Sequence, residues 1–215
     1  MFDQYFGENG KYLGKDENGD NGKVRIVTDK MEIANIKANE KAGGITNSGD
    51  VKSGVSTTKT VLGEASNVLS RTNANGGTKE ESSTVKADGT ISRGSTGSEK
   101  TSAVNGVEVA TTSTDIPSGD GNTLTHSHIT ALVTKQDGSR GASSAEEPGP
   151  DDPGTFKSFS ENIIVGNLGL PTIQQDATGK QTVTMPGQGA VFFDSNSTKQ
   201  AEVSKNALEK IIKTP

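Results

Sequence analysis

What most constrains this chain is how few apolar residues it has and how tightly they bunch. The residues Ala, Val, Ile, Leu, Met, Phe, Trp, Tyr and Cys together make up 28% of 215 positions. Adding the 27 Gly brings the apolar share to about 41%, below the roughly 45–50% of ordinary globular chains counted the same way. A core built on that supply cannot run evenly along the chain, so part of it is expected to be loop or weakly ordered. The length fits one domain, or one domain plus an unstructured segment.

The densest apolar runs lie late. NIIVGN at 162–167 and GAVFFD at 189–194 read as buried strands, with a further strand at 181–185. Val203, Ala207, Leu208, Ile211 and Ile212 define a closing amphipathic helix. Earlier in the chain, Phe2–Phe6 and Tyr12–Leu13 can pair as a small hairpin among turn glycines. Val24–Val27 reads as a strand, and 30–41 as a helix with Met31, Ala34 and Ala38 on one stripe and Ile33 and Ile36 near it. Residues 43–123 are rich in Gly, Ser, Thr and Asn, with three apolar islands. The island at 56–70 has helical spacing through Val61, Leu62, Ala65, Val68 and Leu69. STVKADGTIS reads as two strands about an Asp88-Gly89 turn, and 104–111 as a strand. Three regions follow: a junction and hairpin at 1–28, a low-complexity, loop-rich segment with short helices at 29–75, and the main domain at 76–215. Residues 43–75 are expected to bury little surface. Strands mixed with helices in this order imply an α/β or α+β fold, a mixed β-sheet flanked by helices.

Composition excludes several functions. No stretch approaches the ~18 apolar residues of a membrane span, and the first residues lack the basic and apolar regions of a secretory signal. The absence of Cys removes disulfides, thiol nucleophiles and Cys-ligated metals. A net charge of −5 without a basic patch argues against a nucleic-acid partner. The chain carries no G-x-S-x-G elbow, no phosphate-binding P-loop and no dinucleotide fingerprint.

The sharpest chemical feature is His126-Ser127-His128, which holds the chain's two histidines. In a strand, residues i and i+2 face the same way, so two imidazoles can grip one ion. Read from the residues alone, the pair is either half of a metal site or two solvated loop histidines. A third ligand would have to be a carboxylate. Asp137 lies in an Asp-Gly turn and reads first as a turn residue. Glu146 and Glu147 read as solvated loop residues. Asp151 and Asp152 precede Pro153, where Asp at the N-cap and Pro at N1 start a helix. A capping carboxylate is also well fixed, which suits a ligand.

The order of a Glu, then H-S-H, then G-P-D-D at a helix start, then a buried strand, resembles the JAB/JAMM (MPN) zinc metallopeptidases. Their motif is an upstream Glu, H-x-H-P and S-x-x-D. THSHITALV, EEPGPDDPGTFKSFSENIIVGNLG and GAVFFDSNST resemble the JAB-like toxin branch at the C-terminal ends of bacterial polymorphic toxins. YFGENGKYLGKDENGDNG resembles the junction where Rhs-type carriers pass into their toxin tips. The resemblance implies a JAB/MPN-like, cytidine-deaminase-like fold over about 75–213, behind a loop-rich N-terminal part. It implies a zinc-dependent peptidase or isopeptidase with His126, His128 and Asp152 as ligands, Asp151 and Asp137 being the alternatives. Glu80 matches the catalytic general acid–base, with Glu81 and Glu108 as rivals. It further implies a protein or peptide substrate, an upstream carrier polypeptide, an immunity protein, and a secreted or delivered effector. Two positions depart from the motif. Ile129 stands in place of Pro, and Gly149 in place of the Ser whose hydroxyl serves the oxyanion. An inactive MPN-like binding module and a β-rich structural or adhesive fragment are the alternative readings.

Overall fold

The computed structural model describes residues 3–18, 22–104, 107–117, 122–134 and 140–215. An N-terminal four-stranded sheet is built from β1 (Gln4–Gly7), β2 (Tyr12–Lys15), β3 (Lys23–Val27) and β4 (Val55–Thr58), in the order β2-β1-β3-β4. β1 and β2 form the hairpin expected from their aromatic residues, and β1 runs parallel to β3. The hairpin turns through Gly10, whose φ of 73° suits glycine. A Cβ there would lie 2.5 Å from the Ala207 carbonyl oxygen, so the turn presses directly on the C-terminal helix.

Between β3 and β4 lies α1 (Lys30–Lys41), capped by the Asp29 carboxylate, which accepts the N–H groups of Met31 and Glu32. Its buried face differs from the expected stripe: Ile36 is buried and Ile33 packs beside it, whereas Met31 is exposed. Ile36 closes over Tyr5, Leu13, Val27 and Val51 on the outer face of the small sheet.

α2 (Lys59–Ala74) is the pivot of the fold. The Thr58 hydroxyl caps it by accepting from Val61 N–H. Val61, Leu62, Ala65, Val68, Leu69 and Thr72 are all buried along one stripe. The expectation that 43–75 buries little surface is therefore corrected. Polar residues and a glycine, among them Thr60, Gly63, Ser66, Asn67, Ser70 and Asn73, occupy most other positions of this helix and dilute its composition, but the stripe itself is continuous. Each such aliphatic side chain contributes about 1.5–3 kcal/mol on full burial.

The main sheet has six strands in the order β16-β15-β12-β9-β5-β6. These are β5 (Ser82–Val85), β6 (Ile91–Arg93), β9 (Thr123–Ser127), β12 (Glu161–Asn167), β15 (Gln188–Phe193) and β16 (Lys199–Ser204). β9 and β12 pair in parallel and all other neighbours are antiparallel, which makes the sheet mixed. One face carries Ile163, Val165, Ala190, Phe192, Ala201 and Val203, packed on α2 and on α4 (Lys205–Lys213). Phe6, Val24 and Ile26 of the small sheet join the same cluster, so the core spans residues 6 to 211. Val203 lies on β16, not on the closing helix; α4 starts only after Ser204, whose hydroxyl caps it. The opposite sheet face carries Leu124, Ile164, Val191 and Phe193 under Phe156 and Phe159.

Three small ribbons complete the fold: β7 (Ser98–Val104) with β8 (Val107–Ser113), β10 (Val133–Thr134) with β11 (Arg140–Gly141), and β13 (Thr172–Gln175) with β14 (Gln181–Thr184). The strand expected at 104–111 overlaps β8, and residues 105–106 lie outside the described residues. Among the described residues, no helix is long and apolar enough to cross a membrane.

Candidate metal centre

Parallel pairing places the C-terminal ends of β9 and β12 side by side, and the candidate chemistry gathers there. His126 lies on β9 opposite Ile164 of β12. His128 lies just past the strand, but its N–H still donates to the Val165 carbonyl at 2.9 Å, so the extended backbone continues through it. Alternation then sends both imidazoles to the face that carries Leu124 and Ile164. The rings stand 5.5 Å apart between centroids, and Phe156 packs 6.1 Å from that of His126.

The third member arrives from α3 (Asp152–Phe156). Here the structure shifts the expected cap. Asp151 occupies the N-cap without a capping side-chain bond, and Asp152 is the first helical residue. The Asp152 carboxylate instead accepts the Gly149 N–H on Oδ2 at 2.6 Å, which fixes it facing the histidines. Its Oδ1 lies 3.2 Å from His126 Nε2 and its Oδ2 lies 3.4 Å from His128 Nε2. One ligating atom from each of the three residues falls within 4.8 Å of the others. Ligands held ~2.0–2.2 Å from one tetrahedral ion are themselves separated by roughly 3.3–3.6 Å, close to the two His–Asp separations, so this cluster could hold a metal ion.

Hydrogen bonding supports the same fit. His128 Nδ1 faces the Ser144 carbonyl oxygen at 2.8 Å. A carbonyl only accepts, so Nδ1 carries the proton and the neutral ring offers Nε2 to a metal. Both ring nitrogens of His126 are sealed from solvent and make no hydrogen bond, the approach of Nε2 to Asp152 being misaligned for one. A buried polar group left without a partner costs about 1–3 kcal/mol, and a cation at Nε2 relieves part of that.

The charges respond accordingly. Burial alone would lift the Asp152 carboxyl, but the two imidazoles beside it and the hydrogen bond from Gly149 N–H hold it far below the usual carboxylate range. Burial likewise opposes a charge on His128. The hydrogen bond and charge of Asp152, the Ser144 carbonyl and the charge of Glu80 outweigh it and push this ring up.

Register locates the candidate bases. β5 and β9 pair with Ser82 opposite His126 and Ser83 opposite Thr125. Ser127 N–H donates to the Glu81 carbonyl at 2.9 Å, so the ladder continues past the end of β5. Continued by one more residue, it sets Glu80 opposite His128, on the sheet face that carries both imidazoles. Glu81 points the other way and is fully engaged. Its carboxylate takes Arg71 Nε at 3.4 Å, Asn75 Nδ2 at 3.0 Å and Thr96 Oγ1 at 2.8 Å. Glu108 lies on β8, and its side chain is outside the described residues, as is Asp137. Asp151 is exposed, and its carbonyl accepts from Thr155 N–H at 3.3 Å. Glu146 pairs with Lys199 at 3.3 Å.

Ser144, Gly149 and Phe156 also shape the site, and the sequence carries no signal for them beyond Gly149's place three residues before Asp152. The comparisons add no relative: no family model, no curated protein and no solved structure matches this chain.

Proposed function

We propose that the chain is a zinc-dependent hydrolase, acting as a peptidase or isopeptidase of the JAB/JAMM kind. The observation that carries the reading is the convergence of buried His126 and His128 on a partly buried Asp152, with the His126 nitrogens lacking any hydrogen-bond partner. His126 Nε2, His128 Nε2 and the Asp152 carboxylate would hold the ion. A zinc ion there would supply Lewis acidity and a nucleophilic hydroxide at neutral pH.

The remaining work falls to the chain's own groups. Ser144 fixes the tautomer of His128, and Gly149 N–H fixes the Asp152 carboxylate. Glu80, which register continues to a position opposite His128, would take a proton from the attacking water and return it to the leaving amine. Deployment as the toxic tip of a secreted bacterial polypeptide, with an immunity protein as antagonist, rests on the resemblance of the sequence alone. Gly149 favours one competing reading, a metal-holding module with weak or no catalysis, because it offers no hydroxyl to an oxyanion.

Elemental analysis of the purified chain, paired with cleavage of peptide and isopeptide substrates, tests the proposal. Wild type is expected to hold about one zinc per chain. Glu80→Gln keeps the zinc and loses most of the hydrolysis, whereas Asp152→Ala loses the zinc. Zinc without cleavage transfers the chain to the binding-module reading. A wild type that binds no zinc overturns both.

A further inference from the structure

The serine between the two histidines turns away from them. Alternation along β9 sends Ser127 to the opposite face of the sheet, where it is fully buried against α2. Its hydroxyl therefore has no place in the metal cluster. It sits where the ladder between β5 and β9 runs out, one residue past the last paired position, Ser82 opposite His126. In a regular antiparallel pair, Glu81 and Ser127 would exchange two backbone hydrogen bonds. One is kept, from Ser127 N–H to the Glu81 carbonyl at 2.9 Å. The other is taken over by a side chain, because Glu81 N–H donates to Ser127 Oγ, also at 2.9 Å.

Ser127 Oγ in turn lies 2.6 Å from Thr72 Oγ1, in the last turn of α2, and Thr72 Oγ1 lies 3.0 Å from the Val68 carbonyl oxygen. Both hydroxyls are fully buried, and each carries one proton. A carbonyl only accepts and an amide N–H only donates, so a single arrangement satisfies all three contacts. Glu81 N–H donates to Ser127, Ser127 O–H to Thr72, and Thr72 O–H to Val68. Hydrogen bonds in such a chain polarise and strengthen one another. The helix backbone thereby aims the serine's lone pair at Glu81 N–H. That N–H belongs to the peptide unit joining Glu80 to Glu81, and the carbonyl of the same unit accepts Gly97 N–H at 2.8 Å. Both polar atoms of the unit that carries Glu80 to the site are therefore tied down. The charge of Glu80 acts on the His128 ring, which agrees with that placement.

Building on the hydrolase reading, we propose that Ser127 is a positioning residue for the general base. Its hydroxyl, oriented through Thr72, fastens the Glu80–Glu81 peptide to the strand that carries both imidazoles and so holds Glu80 in register with His128. The triplet H-S-H then serves the site from both faces of one strand: the histidines offer nitrogen to the metal, and the serine between them sets the base. A reacting group displaced by about 1 Å can lose ~10²-fold in rate, so an anchor of this kind is read in turnover and not in metal content.

The test uses the full zinc-loaded chain and a fluorogenic peptide or isopeptide that wild type cleaves. Ser127→Ala is expected to lower kcat at least tenfold with KM and zinc content unchanged. Joined to Glu80→Gln it should add nothing further, since the anchor acts only through Glu80. Thr72→Val removes the hydroxyl and should lower kcat about threefold, whereas Thr72→Ser keeps it and should hold the wild-type rate. A role in packing alone would reverse that order, because valine fills the space and serine leaves a gap. The Thr72 pair decides by itself if Ser127→Ala does not fold. Independently of turnover, amide exchange followed by NMR should show Glu81 N–H protected in wild type and exchanging at least tenfold faster in Ser127→Ala. An unchanged kcat in Ser127→Ala, a further loss in the double variant, the reversed order at Thr72, or a Glu81 N–H that keeps its protection overturns the proposal while the hydrolase reading stands. A wild type without zinc or without cleavage overturns that reading, and the proposal with it, before any variant is made.

Discussion

The buried carboxyl of Glu161, the first residue of β12, makes a prediction that needs no ligand. In the unfolded chain this group titrates near 4.5, and in the folded protein near 7, because burial disfavours its charged form and two threonine hydroxyls do not fully compensate. Between those values the folded state holds more protons than the unfolded one. Stability therefore falls as pH rises from about 4.5 to about 7 and levels off beyond. A separation of roughly 2.5 pH units corresponds to about 3 kcal/mol, at 1.36 kcal/mol per unit. Glu161→Gln keeps the shape and removes the titration. His128, raised by its surroundings, gives stability below its unfolded value near 6.5 that is lost as pH rises, in both proteins alike. Asp152, lowered by its surroundings, acts only in the acid range below about 3.8 and is likewise common to both. The difference between variant and wild type isolates Glu161. Urea unfolding of zinc-free protein at pH 5 and pH 8 should show the variant gaining about 3 kcal/mol on wild type between the two conditions. Parallel pH profiles would refute the argument and show that water or a rearranged side chain already satisfies the carboxylate.

Three further outcomes are expected. Zinc at a hundredfold excess over its dissociation constant should stabilise wild type by about 2.7 kcal/mol and His126→Ala not at all, read as melting temperature with and without chelator. Gly149→Ser should fold and keep its zinc, because Gly149 has no left-handed backbone and the new Cβ would lie 3.4 Å from Asp152 Oδ2 and 4.0 Å from His128 Nε2. Its hydroxyl should raise the hydrolysis rate by up to ~10²-fold, whereas an unchanged rate means that another donor already serves the oxyanion. Arg71→Met should cost about 3 kcal/mol in denaturant unfolding. It strips the 3.0 Å partner from Glu64, whose side chain is fully buried, and a loss below about 1 kcal/mol would show that Ser83, Asn67 and Arg93 suffice for Glu64.

Legibility followed the distance over which each feature is determined. The Asp88-Gly89 hairpin, the strand at Glu161–Asn167 and the helix at Lys30–Lys41 rest on local turn chemistry and periodicity, and each is visible in the sequence. So is the adjacency of the two histidines. α2 was visible by its stripe and obscured by its composition: averaging over 43–75 hides five apolar positions among polar ones. Val203 shows the opposite error, since a strand residue next to a helix start falls into apparent helical spacing with Ala207 and Leu208. The Asp152 position depended on a one-residue shift in where α3 begins. Ser144, Glu161 and the Glu64–Arg71 pair left no trace, because their roles arise from neighbours 16, 38 and 7 residues away that no local pattern joins.

The cluster that joins Phe6 to Ile211 also bears on how the molecule comes into being. A ribosome delivers Val61, Leu62, Val68 and Leu69 well before Phe192, Val203 and Leu208, the partners that cover them. The gap from Leu69 to Phe192 is roughly 120 residues, or about 6 to 25 s at ordinary rates of synthesis. Throughout that interval the helix that organises both sheets lacks the part of its cover that β12, β15, β16 and α4 supply. The second half of the polypeptide thus completes a cover that Phe6, Val24, Ile26 and Val85 only begin, and production of residues 1–120 alone should yield an aggregating fragment that the complementary half rescues when the two are made together.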